Sequence, residues 1–569
     1  MAPHGGHVVR ERNPRPARLQ IALCVRPAFR FNSPLLLPMP RPTALPVLLA
    51  GALLLAGCTT PAPTSQVPEY DVVIRGGRVI DGTGAPAVAA DVGLRDGRIA
   101  TVGRIAGAGR TEIDARGKAV APGFIDVHAH AEDVVSLPAG ENFLRMGVTT
   151  IVTGNCGGSK LNVAEFFRQI EQTGVGLNVA TLIGHNTVRG QVMGGSFARP
   201  PTPAELERMR GLVEQAMKDG AVGLSTGLIY LPGTFAKTDE IVALAKVASA
   251  HGGIYASHMR NEGSGIVSAL DELTTIAREA KIPAEVSHLK LSGPNAWGRA
   301  DEIVAYLDRA RASGLKITHD QYAYTASSTG ISSLIAAEFR EGGAARFKQR
   351  LADPATKARM VAEMKESIER NKRGDYTYAV VASFRTDTRL NGKTIPQAAK
   401  ILRGADTLDD QIETILDIEA RGGAQGVFHG MNEADLRKFL VQPHTMVASD
   451  AGVRRFGDGV PHPRGYGNNA RVLARYVREL QLLPLEEAVR KMSALPAQTF
   501  NLKDRGQLKP GYVADLVVFD PAKVSDPSTF DDPHHYAVGF SDVIVNGTPV
   551  IRDAQLTAAR PGRPVKRAE

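Results

Sequence analysis

From Tyr70 the apolar and polar residues alternate with period two, as YDVVIRGGRVIDGTG and then ADVGLRDGRIATVG, with Gly-Gly and Asp-Gly between the runs. Successive side chains on a strand point to opposite faces, so this pattern predicts short antiparallel strands with one buried face. The same alternation returns in GQLKPGYVADLVVFD (506–520) and VGFSDVIVNGTPVIRD (538–553). Residues 70–121 and 504–555 are therefore expected to build one small β-sandwich domain from both ends of the chain.

Between these ends the pattern changes. Short apolar runs recur at 123–130, 147–157, 177–185, 221–227, 253–260, 283–290, 315–324 and 445–450, separated by stretches of helical period such as 203–220 and 239–252. Eight strand–helix repeats match the count of a (β/α)8 TIM-like barrel, placed at about 122–503. The stretch from about 331 to 430 is too long for a loop and is expected to be an insertion before the last barrel strand. Residues 556–569 are read as a tail.

Composition narrows the class. The 569 residues are 43% hydrophobic and 22% charged, which excludes a collagen-like, disordered or multi-span membrane chain. The net charge of +9 suggests an acidic partner until its distribution is read. Seven arginines and one glutamate fall within residues 1–57, and the rest of the chain is left at +3. With no basic stripe in the body, nucleic-acid binding has no support.

The segment from Met39, MPRPTALPVLLAGALLLAGC, has a positive start, an apolar stretch and small residues before Cys58. It reads as an export signal within residues 1–57, with Met39 as an alternative start and 1–38 given no fold. Its end resembles a bacterial lipobox, which makes Cys58 the expected lipidation site and 58–69 a Pro-rich tether. The chain is accordingly expected to be an exported, cell-envelope lipoprotein facing the periplasm, with no membrane contact beyond the lipid.

Candidate chemistry gathers at the ends of the predicted barrel strands, the face that carries active sites in this architecture. His128 and His130 are two residues apart, Cys156 follows strand two, His258 ends strand five, His288 strand six and Asp450 strand eight. A histidine pair alone is more often two hydrogen-bonded histidines than a ligand pair, and a lone cysteine is commonly a small buried apolar residue. Together they form a set of zinc-ligand types. Zinc polarises a carbonyl and makes water a nucleophile near neutral pH. A neighbouring carboxylate such as Asp450 can carry the proton. Arg464, 14 residues after Asp450, is a candidate grip for an anionic substrate or an ordinary surface arginine. Lys290 should share a side of the chain with His288.

The ordered motifs HxH (128–130), GNCG (154–157), SHMRNE (257–262), SHLK (287–290) and SDAG (449–452) resemble the D-aminoacylase, or N-acyl-D-amino-acid deacylase, branch of the amidohydrolase superfamily. The resemblance covers about residues 70–555. It implies a tight zinc on Cys156, His258 and His288, a second, weaker metal position at His128 and His130, and Asp450 as acid/base. It also implies substrate-carboxylate contacts from Tyr230, Lys290, Tyr322, Ser328 and Arg464. Many relatives in the superfamily bridge two metals with a carboxylated lysine on strand four. AVGLSTG at that place holds no lysine, which favours the D-aminoacylase branch.

The expectation is zinc-dependent hydrolysis of N-acyl-D-amino acids to a carboxylate and a D-amino acid, in an oligomeric state left open. A dipeptidase or hydantoinase-like cyclic-amide hydrolase is the nearest alternative. A non-catalytic ligand-binding lipoprotein is the remote one.

Overall fold

A computed structural model of the chain describes residues 68–567. The export segment, nearly all of the tether and Cys58 lie outside the described residues. Among those described, no helix is long and apolar enough to cross a membrane.

Eight parallel strands, numbered along the chain, organise the centre. They are β1 (Phe124–Asp126), β2 (Val148–Thr153), β3 (Asn178–Thr181), β4 (Gly223–Gly227), β5 (Ile254–His258), β6 (Ala284–Val286), β7 (Ile317–Gln321) and β8 (Thr445–Val447). A two-residue extension of β3, Ile183–Gly184, carries its pairing to β4. Every neighbouring pair is parallel. Past the ends of β8 and β1, a parallel bridge joins Ala451 to Ala129, with His130 N–H donating to Ala451 O and Asp450 N–H to His128 O. All eight predicted strands are present, each shorter than its apolar run. β1, β2, β4 and β5 are buried along their whole length, which is why they read as continuous apolar or small-residue runs.

Helices follow the strands and bury one face against them. Pro203–Lys218, for example, starts on a capping box in which Thr202 and Glu205 satisfy each other's backbone N–H, with Pro203 at its first turn. Ile266–Ala280 places Ile266, Leu270, Leu273, Ile276 and Ala277 in the core.

The two chain ends share one nine-stranded sheet, in which Ala119–Pro122 pairs antiparallel with Leu516–Phe519. The last residues are more than a tail. Pro564 bridges Val179, Val565 N–H donates to Val179 O and Arg567 N–H to Gly220 O. Val565 also joins the apolar cluster of Val222, Ile254, Leu495 and Phe500.

The insertion has its own core, including Phe339, Phe347, Met360, Phe384 and Ile415. Its four-stranded sheet begins slightly earlier than expected, at Ser327–Gly330, which pairs with Gln425–Phe428. That pairing brings the insertion to the C-terminal ends of the central strands.

Candidate metal centre

The six candidate residues converge. His128 and His130 follow β1 rather than lie in it, and Asp450 stands three residues past β8. Cys156, His288 and Asp450 have φ of +51°, +37° and +52°. This left-handed backbone is costly for residues with a Cβ, and three of the candidate residues adopt it just past the strands. The Gly-Asn-Cys-Gly setting has a steric reason: a Cβ on Gly157 would lie 2.2 Å from Asn186 Oδ1, and one on Gly227 2.1 Å from Cys156 O.

Three of the rings offer one nitrogen to the thiol and turn the other toward a carboxylate. His258 Nδ1 and His288 Nε2 lie 3.8 and 3.7 Å from Cys156 Sγ. Their outer nitrogens face Glu262, His258 Nε2 at 3.7 Å and His288 Nδ1 at 3.1 Å. His128 repeats the arrangement, with Nε2 3.3 Å from Cys156 Sγ and Nδ1 3.1 Å from Asp320 Oδ2. Ligating histidines are typically held this way, by a carboxylate on the second nitrogen. Cys156 with His258 and His288, His128 with His130 and Cys156, and His128 with His288 and Asp450 form three donor groups whose atoms lie within 4.8 Å of one another. Thiolate and imidazole donors on one small point suit zinc, so the residues present fit the ion.

Without an ion, the charges pair among themselves: against the effect of burial, the surrounding carboxylates and the thiol raise His128, His130 and His288. Burial would raise the Cys156 thiol, but the charge of His128 and hydrogen bonds from His128, His130 and His258 bring it well below its usual value. Burial lowers His258, leaving its imidazole neutral and able to donate a lone pair. Burial also opposes ionisation of Asp450, yet Arg464 Nη1 at 2.9 Å, His128 and His130 hold it well below the carboxylate range. His130 Nε2 approaches Asp450 Oδ1 at 3.0 Å.

Beside these groups opens a cavity of about 780 Å³, lined among others by His130, Cys156, Tyr230, Ser328, Asp450 and Arg464. A smaller one of about 220 Å³ touches His258, His288, Lys290 and Glu262. A separate cavity of about 580 Å³ lies at the opposite ends of the strands, by Ile254, Ala284 and Phe500, far from this chemistry.

The model of the amidohydrolase family matches residues 111–551. The chain belongs to the amidohydrolase family. It is 34% identical over 528 residues to a D-aminoacylase of Alcaligenes xylosoxydans xylosoxydans, covering 88% of this chain and 99% of the relative. It is 35% identical over 536 residues to an N-acyl-D-glutamate deacylase of the same organism, covering 88% and 97%. A solved N-acyl-D-glutamate deacylase from Bordetella bronchiseptica, in complex with zinc and a phosphonate mimic of the tetrahedral intermediate, superposes with a TM-score of 0.75. It is 34% identical, and the match covers 87% of this chain and 99% of that one.

The expected substrate-binding residues of this amidohydrolase occupy different depths. Tyr230 and Ser328 line both cavities at the metal centre. The Tyr230 ring stands 4.8 Å from that of His258, and the Ser328 hydroxyl donates to Gly426 O at 2.9 Å. Arg464 is buried, placing its guanidinium between Asp450 and the Tyr322 ring, 4.6 Å from the ring centre. Tyr322 is itself 1% exposed, with Lys290 Nζ 5.9 Å from its ring. Lys290 is tied down: its ammonium meets Glu262 Oε1 at 2.6 Å and His288 Nδ1 at 2.7 Å.

Two carboxylates of the site went unread in the sequence. Glu262, in SHMRNE, faces two histidines and a lysine. Asp320, next to His319 in THDQ, orients His128. Asp126 also contributes, accepting N–H bonds from His128 and Ser449 at 3.1 Å and so joining the loops after β1 and β8; burial raises its carboxyl to about 6. His319, in β7, bonds Thr445 Oγ1 through Nε2 at 2.7 Å. His185 is held by Glu240 at 2.8 Å.

Proposed function

We propose that this amidohydrolase uses zinc to hydrolyse the amide bond of N-acyl-D-amino acids, releasing a carboxylate and a D-amino acid. The observation that carries the reading is the donor set of Cys156, His258 and His288, inward-facing and backed by Glu262, with Asp450 beside it. His128 and His130 supply a second, weaker metal position. Zinc held by Cys156, His258 and His288 would supply a Lewis acid for the amide carbonyl and a nucleophilic water near neutral pH. Asp450, ionised and buried against His130, accepts the proton of the attacking water and passes it to the nitrogen as the C–N bond breaks. Arg464, Tyr230 and Ser328 orient the substrate anion, with Tyr322 stacked behind Arg464 and Lys290 reached through Glu262. A substrate carboxylate competes with Asp450 for the Arg464 guanidinium, since both face the same cavity. The cyclic-amide alternative lacks its lysine, because β4 reads GLSTG.

The ring of parallel pairings supports a (β/α)8 barrel over 122–503, and the shared nine-stranded sheet supports a composite β domain of 70–121 and 504–555. Export and lipidation at Cys58 are inferred from the leader motif alone; labelling of wild type but not Cys58→Ala by a fatty-acid probe tests them.

Asp450→Ala tests the mechanism. In zinc-loaded protein kcat should fall about 10²- to 10⁴-fold with zinc content unchanged. Ordinary turnover by that variant contradicts the assignment.

A further inference from the structure

The turn that carries Tyr230 begins where β4 ends. Gly227 closes that strand, Tyr230 N–H donates back to Gly227 O at 3.1 Å, and Thr234 N–H donates to Tyr230 O at 2.8 Å. The Tyr230 ring packs against Gly227, where a Cβ would lie 2.7 Å from Tyr230 Cδ2. One side chain from another strand end grips both ends of this turn. Asn186 Nδ2 donates to Gly227 O at 3.1 Å and to Tyr230 O at 3.4 Å.

Asn186 is placed by the helix His185–Met193, which starts directly after the two-residue extension of β3. Its amide sits in a slot that only glycines leave open. A Cβ on Gly157 would lie 2.2 Å from Asn186 Oδ1, and one on Gly233 2.4 Å from the same atom. Gly157 follows Cys156, and Thr187 N–H donates to Gly157 O at 3.1 Å. The helix start therefore meets the thiol-bearing loop on one side and the Tyr230 turn on the other.

The amide is held from behind as well. With both amide hydrogens turned to carbonyls, Oδ1 faces His185 Nδ1 at 3.3 Å. His185 Nε2 lies 2.8 Å from Glu240 Oε1, and Arg189 Nε donates to the same oxygen at 3.0 Å. Arg189 spends its other nitrogens on Phe197 O and Arg199 O. His185, Glu240 and Arg189 are all buried, and a buried polar network whose members are paired fixes geometry. Of these four side chains, only Asn186 lines the cavity at the metal centre.

We infer that Asn186 is a positioning residue for the reaction. Its two carbonyl contacts set the Tyr230 side chain beside His258, and Arg189, Glu240 and His185 hold the amide in place. The inference rests on the deacylase reading and adds to it a residue that acts on substrate through Tyr230. A misplacement of about 1 Å in an orienting group can cost about 10²-fold in rate.

The test is a double-mutant cycle on kcat/KM for N-acetyl-D-leucine in the zinc-loaded full chain. Asn186→Ala should lower it about 10- to 100-fold in the wild-type background but less than about twofold in Tyr230→Phe, with zinc content unchanged. Asn186→Ser keeps a shorter donor and should fall between; it replaces the alanine variant should that one fail to fold. No loss from Asn186→Ala, equal losses in both backgrounds, or a loss that follows zinc content overturns the inference. A readout without turnover accompanies the cycle. Fluorotyrosine introduced at position 230 should give one fluorine resonance with Asn186 present and a shifted or broadened one with Asn186→Ala; an unmoved resonance also overturns the inference. Absence of hydrolysis by wild type defeats the deacylase reading, and the fluorine comparison then still decides whether Asn186 holds Tyr230.

Discussion

Glu262→Gln removes one charge and almost no volume, and two separable consequences follow from where Glu262 sits. The first concerns Lys290. Its side chain is 2% exposed, and among the described residues Glu262 is its only carboxylate partner. Stripping the counter-charge from a buried pair costs about 3–5 kcal/mol. The second concerns the metal. Glu262 is the carboxylate behind both His258 and His288, and losing such a partner typically weakens metal binding about 10- to 100-fold. Zinc affinity is read by competition with a chelator, and stability by denaturant unfolding of the zinc-free protein. Lys290→Met in the Glu262→Gln background separates the terms: it removes the stranded ammonium and should recover much of the stability while zinc affinity stays low. Glu262→Gln with zinc affinity within about twofold of wild type and unchanged unfolding would refute the reasoning, because neither the ion pair nor the histidine support would then matter.

Two further outcomes are expected. Arg464→Gln deletes the buried guanidinium facing the cavity and should lower kcat/KM for an N-acyl-D-amino acid about 10- to 100-fold, chiefly through KM; an unmoved KM would remove Arg464 from substrate binding. Burial, with Arg311 and Lys491 nearby, holds His319 down to about 3. Its contribution is therefore present above about pH 6.5 and is lost as pH falls toward 3, at about 1.4 kcal/mol per pH unit. Wild type should lose about 2 kcal/mol more than His319→Gln between pH 6.5 and 5, and parallel stability curves would contradict this.

The candidate metal positions were legible because the architecture concentrates them. Five of the eight strand runs carry a candidate His, Cys or Asp at their ends, and eight runs in order restrict where those ends can meet. Strand ends were less legible: the apolar run at 283–290 stops being a strand at Val286, because His288 adopts a left-handed backbone that composition does not reveal. Glu262 and Asp320 went unread since their meaning lies across elements. Each carboxylate matters through the outer nitrogen of a histidine, on another strand in the case of Asp320. Lys290, expected to face substrate, lines the smaller cavity and is also paired with Glu262, a competition no spacing rule can weigh. Residues 562–567 carry almost no strand pattern, yet they pair with Val175 and Val179, since a neighbouring backbone and not periodicity recruits them.

The central claim is stereochemical as well as chemical, and one measurement addresses both. Initial rates on paired N-acetyl-D- and N-acetyl-L-amino acids, taken with zinc content on the same preparation, should show hydrolysis of the D forms and negligible hydrolysis of the L forms, proportional to zinc at the tight site. Turnover of L forms or hydantoins at equal or greater rates, or no D turnover in fully zinc-loaded protein, would contradict the account.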